Sequence, residues 1–439
     1  MAWSVNPPRE NLSPWLRFRE LLKTVLPSNP FYQQKFAAAG LSLDDLQFPA
    51  DYPRIPFTCK SEFITDHQNH PPYGSARTYP LTNYSRLHQS SGTSTGRPLR
   101  WLDTPASWDW LLHCWCQSFP ALGFTPDDRL FFPFSFGPFL GFWSAFEAAA
   151  RSGYLCLAGG GMSSTARLHF LLEHQVTVVF ATPTYVLHLA ELAALEAIDL
   201  ASSPVRAIVV AGEPGGTLQA TRNRIESVWG CRVFDHYGLT EVGPVAFETV
   251  AAPGSMRVLE SEYIAEVLTP GGSEPVADGE VGELVLTNLG RVGSPAIRYR
   301  TGDLVRPRRC PQAAFSCEEP GIFPGNLELE GGILGRTDDM IHVRGNNVYP
   351  TAIESVIRRF ADVNEFRIIV DHTGPLTDMR IEIESAKADS LPQLTEAVAR
   401  EIRDTLLFRV DVCGVPVGSL PRFEMKARRV VHVRKTNNS

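Results

Sequence analysis

"VTVVFATPTYVLHLAELAALEAI", residues 176–198, holds a β-branched run of strand length, a Thr-Pro turn and then an amphipathic helical pattern. The next stretch, "VRAIVVAGEPGGTLQATRNRIESVWG" (205–230), repeats that plan, and "CRVFDHYGLTE" (231–241) adds another strand and an abrupt turn. Short apolar strands alternating with helices mark βαβ units, and their parallel strands are buried on both faces. In such a sheet, ligands bind beyond the carboxyl ends of the strands. The turns "ATPTY", "AGEPGG" and "HYGLTE" all fall at such ends. A site is therefore expected on one side of one parallel sheet.

Upstream, "SPWLRFRELLKTVL" and "NPFYQQKFAAAG" read as helices, the second with a glycine stop. "LFFPFSFGPFLGFWSAFEAAA" (130–150) is long enough to span a membrane. Its prolines, glycines and Glu147 instead predict a buried strand, an aromatic loop and a helix from near Phe139. Downstream of about residue 256 the pattern changes. "EYIAEVL" and "VGELVLTNL" alternate around the turn-rich "TPGGSEPVADGE", which predicts a smaller antiparallel β-unit. After "GRTDDMIHVRGNNVYP" come a helix, two strands, a second helix and a basic terminal strand. The expected class is α/β: a large N-terminal domain (1–334) with parallel βαβ sheets and a small antiparallel β-unit, then a small mobile α+β domain (335–439).

Composition sets the outer bounds. The 439 residues are 44% hydrophobic and 20% charged, with a net charge of −7. That is an ordinary globular balance, and it argues against a dedicated nucleic-acid binder. The eight cysteines are scattered without a CxxC pair, so redox and zinc-ribbon chemistry are not indicated. "MAWSVNPPRE" lacks the basic start and apolar run of a secretory leader, so the expectation is a cytoplasmic protein with no membrane partner.

Five polar clusters stand out: "SSGTSTGRP" (90–98), "AGEP" (211–214), "HYGLTEVGP" (236–244), "YRTGD" (299–303) and "GRTDD…VRGNNVYP" (335–350). In the first, small residues let backbone N–H groups converge on an anion while hydroxyls add donors. It is not a Walker A loop, because Gly96 is followed by Arg97 and Pro98 rather than Lys and Ser/Thr. Alone it reads equally as a phosphate cradle or a polar turn. In the third, Tyr237 offers a flat ring to a base, Thr240 a hydroxyl to a phosphate, and Glu241 a hard oxygen to Mg²⁺. A strand-end turn around Gly238 accounts for the same residues. Asp303 can accept from both ribose hydroxyls, or simply close a Thr-Gly-Asp turn.

In order and spacing these clusters, with Lys426 in "LPRFEMKARRV", resemble the adenylate-forming ligases. "FATPTY", "AGEP", "YGLTE" and "GRTDDMIHVRGNNVYPTAIESVI" are similar to the phenylacetate–CoA ligase family, along nearly the whole chain. The resemblance implies an AMP-forming acid–thiol ligase. ATP and a carboxylic acid, aryl or arylacetic, give an acyl-adenylate and pyrophosphate, and thiol attack then gives a thioester. The implied cofactors are ATP, Mg²⁺ and CoA. A carrier-protein thiol or an amine is the alternative acceptor, and a catalytically inactive nucleotide-binding protein a rival of another class. The family is often dimeric, which allows a homodimer.

The same resemblance assigns residues. Lys426, Thr240 and Glu241 are the catalytic set, with Glu241 also the Mg²⁺ ligand. Ser90, Ser91, Gly92, Thr93, Ser94, Thr95, Gly96 and Arg97 form the loop over the phosphates. Gly212, Glu213 and Pro214 border the adenine and acyl sites, with His236, Tyr237 and Gly238 in the nucleotide-binding turn. Asp303 and Arg336 face the ribose. Phe134, Phe136 and Phe139 stand where the family places its acyl-pocket aromatics. Asp338 is the hinge, and Gly345 lies in the segment that swings towards the active site for thioester formation. The chain departs from the family in three places. The glycine loop carries an extra residue and Arg97 instead of lysine. Phe423 and Met425 replace small residues beside Lys426. No Cys/His cluster follows "YGLTE" and "CPQAAFSC" lacks tight spacing, so no structural metal is expected.

Overall fold

In the strand Val178–Ala181, Val178 and Phe180 pack into one core cluster and Val179 joins a second on the opposite face. The strand Ala207–Ala211 repeats the split, with Ala207 and Val209 on one face and Ile208 and Val210 on the other. Period-2 alternation with both sets buried is what a helix-covered parallel sheet requires. A computed structural model describes residues 12–90, 98–310, 326–343, 346–373, 377–424 and 426–434. In it the helices Pro105–Ala121 and Leu140–Arg151 cover the first face. Ser164–Glu173, Pro183–Leu195 and Gln219–Trp229 cover the second. Trp229 is fully buried there, and truncating such a side chain costs about 3–5 kcal/mol.

The Thr-Pro dipeptides set where two of these helices begin. Thr182 Oγ1 accepts from the Tyr185 N–H at 3.2 Å with Pro183 as first helical residue, and Thr104 does the same for Ser107 at 3.1 Å ahead of Pro105. A hydroxyl N-cap satisfies one orphan donor, and a proline at the first position lacks an N–H that would go unpaired anyway.

The parallel strands run Leu155–Ala158, Arg129–Phe132, Val178–Ala181, Ala207–Ala211, Arg232–Leu239 across the sheet. The sheet does not end there. It continues antiparallel through Gly243–Thr249, Ala252–Val258, Asn326–Glu330 and Pro307–Cys310, nine strands in all. Downstream of about residue 256 a separate small antiparallel unit is expected, but Pro307–Cys310 and Asn326–Glu330 join the main sheet instead. The switch to antiparallel pairing comes from connection length. Only three residues separate Leu239 from Gly243, too few for a crossover, so the chain must return beside itself. The expected small antiparallel unit is present as Tyr263–Leu268, Gly282–Asn288, Tyr299–Val305 and Gly335–Arg336. The two N-terminal helices, Pro14–Val25 and Pro30–Ala38, share a core with it through Phe18, Tyr32, Ile264 and Ile297.

The segment 130–150 is the expected strand, loop and helix, Arg129–Phe132 then Leu140–Arg151. Among the described residues no helix is long and apolar enough to cross a membrane. The last hundred residues have their own core, built from Ile353, Phe366, Ile381, Val398 and Ile402. Their four-stranded sheet runs Asp411–Val415, Asp378–Glu384, Glu365–Asp371, Val430–Val433, with the helices Pro350–Ile357 and Leu391–Leu406.

Candidate active site

A cavity of about 480 Å³ opens where four parallel strands end. Phe134, Thr182, Gly212 and Thr240, each just past a strand's carboxyl end or at its last turn, line it together. Ser90, Phe139, His236, Gly238, Glu241, Arg336 and Lys426 complete the expected residues on its wall.

Behind the lining residue Arg336, buried polar groups interlock. The Tyr237 hydroxyl donates to Asp303 Oδ2 at 2.5 Å and Arg336 Nη1 donates to Oδ1 at 2.7 Å. Asp303 and Arg336 are register partners on adjacent strands, which fixes that contact. Gly302, at φ +77°, lies within the strand Tyr299–Val305 where its pairing with Gly282–Asn288 shifts register, and a Cβ there would stand 3.1 Å from Arg336 Nη2. Burial pushes the Asp303 carboxyl above its ordinary value, with Arg336 and the Tyr237 bond opposing. Each carboxylate oxygen retains a second lone pair. Arg336 also donates to Asp338 through Nε at 2.8 Å and Nη2 at 3.2 Å, so one guanidinium joins Asp303 to the expected hinge.

Thr240 and Glu241 lie in the short connection between the strands Arg232–Leu239 and Gly243–Thr249. The Glu241 carboxylate is buried and its nearest cation is Lys60, with Nζ at 3.7 Å. Its oxygens are thus left for a hard cation. Among the described residues no three His, Cys, Asp or Glu side chains converge as a metal cage. Mg²⁺ held mainly by phosphates and waters needs one or two carboxylates, so this donor set fits it. The Thr240 carbonyl accepts from Arg291 Nη1 at 2.6 Å. Arg291 is fully buried and grips both Asp103 oxygens at 2.7 Å. Asp103 ends the strand Arg100–Asp103, whose hairpin partner Arg86–Gln89 leads into the glycine loop. Ser90 closes the loop's base. Its N–H donates to the Leu99 carbonyl and its Oγ accepts from the Leu99 N–H, each at 2.9 Å.

Lys426 enters from the C-terminal domain. A Cβ built on Gly212, where φ is +94°, would come within 3.4 Å of Lys426 Cε. Lys426 lines the cavity and is exposed to it. Desolvation by the surrounding protein lowers the pKa of its ammonium, and Glu213, Asp303 and Glu241 oppose the shift. Glu213 does not face the cavity. Its Oε1 accepts from the Thr184 N–H at 2.9 Å and its Oε2 from the Ala427 N–H at 2.7 Å.

One end of the cavity is apolar. Trp115, Phe134, Phe139, Phe142 and Phe180 line it with Ala145 and Val209. His236 stacks on Trp115 with ring centroids 4.1 Å apart, and burial pushes its imidazole down to about 3. The ring is therefore uncharged at neutral pH. Phe136 lies behind this wall, packed on Phe134, Trp143 and Phe146 rather than among the lining residues.

Residues 91–97, Gly345 and Cys317 lie outside the described residues. Sequence reasoning did not single out Lys60, Trp115, Phe142, Phe180 or the Asp103–Arg291 pair. Asp103 and Arg291 stand 188 residues apart, and nothing in either local sequence points to the other.

The chain matches the AMP-binding enzyme family over residues 105–290 and the AMP-binding enzyme C-terminal domain over 345–434. It is 31% identical to the phenylacetate-coenzyme A ligase of Escherichia coli K12, over 95% of this chain and 93% of that one. The Thermus thermophilus enzyme of the same name is 30% identical, over 95% of each. Among solved structures, 2-hydroxyisobutyryl-CoA ligase with 2-HIB-AMP in the postadenylation state superposes with a TM-score of 0.87 at 25% identity, covering 95% of this chain and 88% of that one. The same ligase with 2-HIB-AMP and CoA in the thioesterification state gives 0.69 at 25% identity, with the same coverage. A sheet with this cavity at its strand ends, closed by a lysine from a separate C-terminal core, defines an adenylate-forming enzyme. The chain belongs to the phenylacetate–CoA ligase family, and it is an AMP-forming acid–CoA ligase that uses ATP, Mg²⁺ and CoA.

Proposed function

We propose that the substrate is an aromatic monocarboxylic acid, aryl or arylacetic, and that Lys426 drives its adenylation. The observation that carries this is that Lys426 lines one cavity together with the rings of Phe134, Phe139, Phe142 and Phe180 and with the Thr240–Glu241 pair. A flat ring fits the carbon surface of Phe134, Phe139, Phe142 and Phe180, leaving its carboxylate towards the lysine. Attack of that carboxylate on the α-phosphorus forms the acyl–phosphate bond and expels pyrophosphate. Negative charge grows on the α-phosphate oxygens, where a preorganised ammonium in a confined site stabilises it. Thr240 supplies a hydroxyl to the phosphate, Tyr237 packs the base, and Asp303 with Arg336 holds the ribose. Glu241 holds Mg²⁺, which neutralises phosphate charge when bound. In the second step the CoA thiol attacks the acyl carbonyl, loses its proton and displaces AMP.

We place the hinge at Asp338 and the moving domain beyond it, because Gly335–Arg336, expected within 335–439, pairs with the body's strand Tyr299–Val305. Support comes from the separate C-terminal core and from the exposed Asp338 at the end of the Arg336 bridge. The test is a panel of aryl, arylacetic and aliphatic acids with ATP and Mg²⁺, read as pyrophosphate release, then CoA added. Aromatic acids should release pyrophosphate and then give thioester. Turnover of aliphatic acids alone would overturn the substrate class.

A further inference from the structure

We propose that the Glu213 carboxylate is the positioning group that docks the C-terminal domain for adenylation, by holding the peptide directly after Lys426. This rests on the reading of Lys426 above. The carboxylate bridges two bodies: Thr184 N–H belongs to the first turn of the helix Pro183–Leu195, and Ala427 N–H belongs to the C-terminal domain. The first contact explains why a carboxylate is kept there, since a helix N-terminus favours negative charge and offers unpaired donors. The second fixes the backbone one residue from the ammonium. A four-carbon stem has many rotamers, and anchoring its root restricts where the ammonium can reach.

Other contacts join the two bodies, and they differ in kind. Arg422 meets Glu191 at 3.4 Å and Arg167 meets Glu424 at 3.1 Å. Glu424 and Arg422 are partly exposed, and such ion pairs contribute little. Arg429 Nη2 donates to Thr184 Oγ1 at 3.0 Å, but its other donors are taken by Glu365 and Glu354 of its own domain. Glu213 alone among these touches the Lys426 segment through the main chain. The contact exists in an arrangement that superposes better on a postadenylation-state ligase than on a thioesterification-state one. A group that holds this arrangement favours the first half-reaction and has no part in the second.

The test separates the half-reactions with phenylacetic acid as probe. Glu213→Gln is isosteric, but its amide has one acceptor oxygen and sets an NH₂ against the second N–H. Acid-dependent exchange of pyrophosphate into ATP should fall about tenfold or more, the effect of losing one charge-assisted hydrogen bond. Thioester formation from supplied phenylacetyl-adenylate and CoA should stay within about twofold. An equal fall in both steps, or an unchanged exchange rate, overturns the proposal. The second half-reaction also reports that the variant is folded. Lys426→Ala is run beside it. If Lys426→Ala abolishes exchange and Glu213→Gln does not, only the docking role fails. If Lys426→Ala leaves exchange intact, the reading of Lys426 fails, and the docking proposal with it.

Discussion

At one end of the cavity, Tyr237, Asp303 and Arg336 are locked by hydrogen bonds of 2.5 and 2.7 Å. At the other, Trp115, Phe134, Phe139, Phe142 and Phe180 present carbon surface and pack on one another or on His236, face to face or edge to face. The polar end must place particular atoms at particular distances, so Asp303 and Arg336 sit in register on neighbouring strands and Tyr237 meets them from the main sheet. The apolar end needs only volume and shape, and many arrangements of rings supply that. Mutations should therefore act steeply and specifically at the polar end, and gradually, by size, at the other.

The largest effect is expected at the junction of the two ends. Lys426→Ala should lower pyrophosphate–ATP exchange by about 10²–10³-fold, the usual effect of deleting one donor aimed at developing charge. Thioester formation from supplied acyl-adenylate should survive. The pH dependence has a definite sign. The ammonium is the active form and its pKa is lowered by burial. Exchange should thus decline, as pH rises, below the range where an ordinary lysine deprotonates. Lys426→Arg should remove that alkaline limb even where its rate is low.

Next comes the ribose end. Asp303→Asn keeps the shape but removes the charge facing Arg336 and the acceptor for Tyr237. A hydrogen bond to a charged group contributes about 1.5–3 kcal/mol, so the KM for ATP should rise by roughly 10–100-fold with the KM for the acid unchanged. A rise in both would mean that the two ends are not independent. At the acid end, Ala145→Leu adds volume to a buried position on the cavity wall. It should raise the KM for aromatic acids by about tenfold, in line with the few kcal/mol that overpacking costs, and leave the KM for ATP alone. Equal weakening of both would break the comparison.

The same division explains what could be read from the chain. "YGLTE", "YRTGD" and "GRTDD" are legible because polar recognition fixes both residue type and spacing. The strand-end turns "ATPTY" and "AGEP" are legible because Thr-Pro and Gly-Glu-Pro leave few backbone choices. Trp115, Phe142 and Phe180 belong to ordinary apolar periodicities, and nothing in those periodicities tells a cavity wall from a core. Phe136 illustrates the converse, an aromatic next to the wall that faces away. Glu213 is expected beside the adenine and acyl sites, and its contact with Ala427 is not legible, because that partner contributes only a main-chain N–H. The strand Asp411–Val415 escaped notice since "DVCGV" is short, glycine-containing and at the sheet edge. The antiparallel extension of the main sheet escaped because the pairing of residues 243–258 follows from a short loop and not from their composition.

The smallest effect is expected where the boundary of the acid end is drawn. Phe136 packs on Phe134, Trp143 and Phe146 at centroid distances of 5.4, 4.8 and 5.2 Å, without lining the cavity. Phe136→Leu keeps an apolar side chain but gives up three ring contacts, each of which contributes about 0.5–1.5 kcal/mol beyond its area. The thermal midpoint should drop, by about 1–2 °C per kcal/mol lost for a body of this size. The KM for the acid should change by less than twofold, because Phe134 is still supported by Phe132 and Phe142. Steady-state kinetics over an acid series and a melting curve on the same preparation decide it. A shift in acid preference without loss of stability would move Phe136 onto the wall, and the apolar end would then reach one layer deeper than its lining residues define.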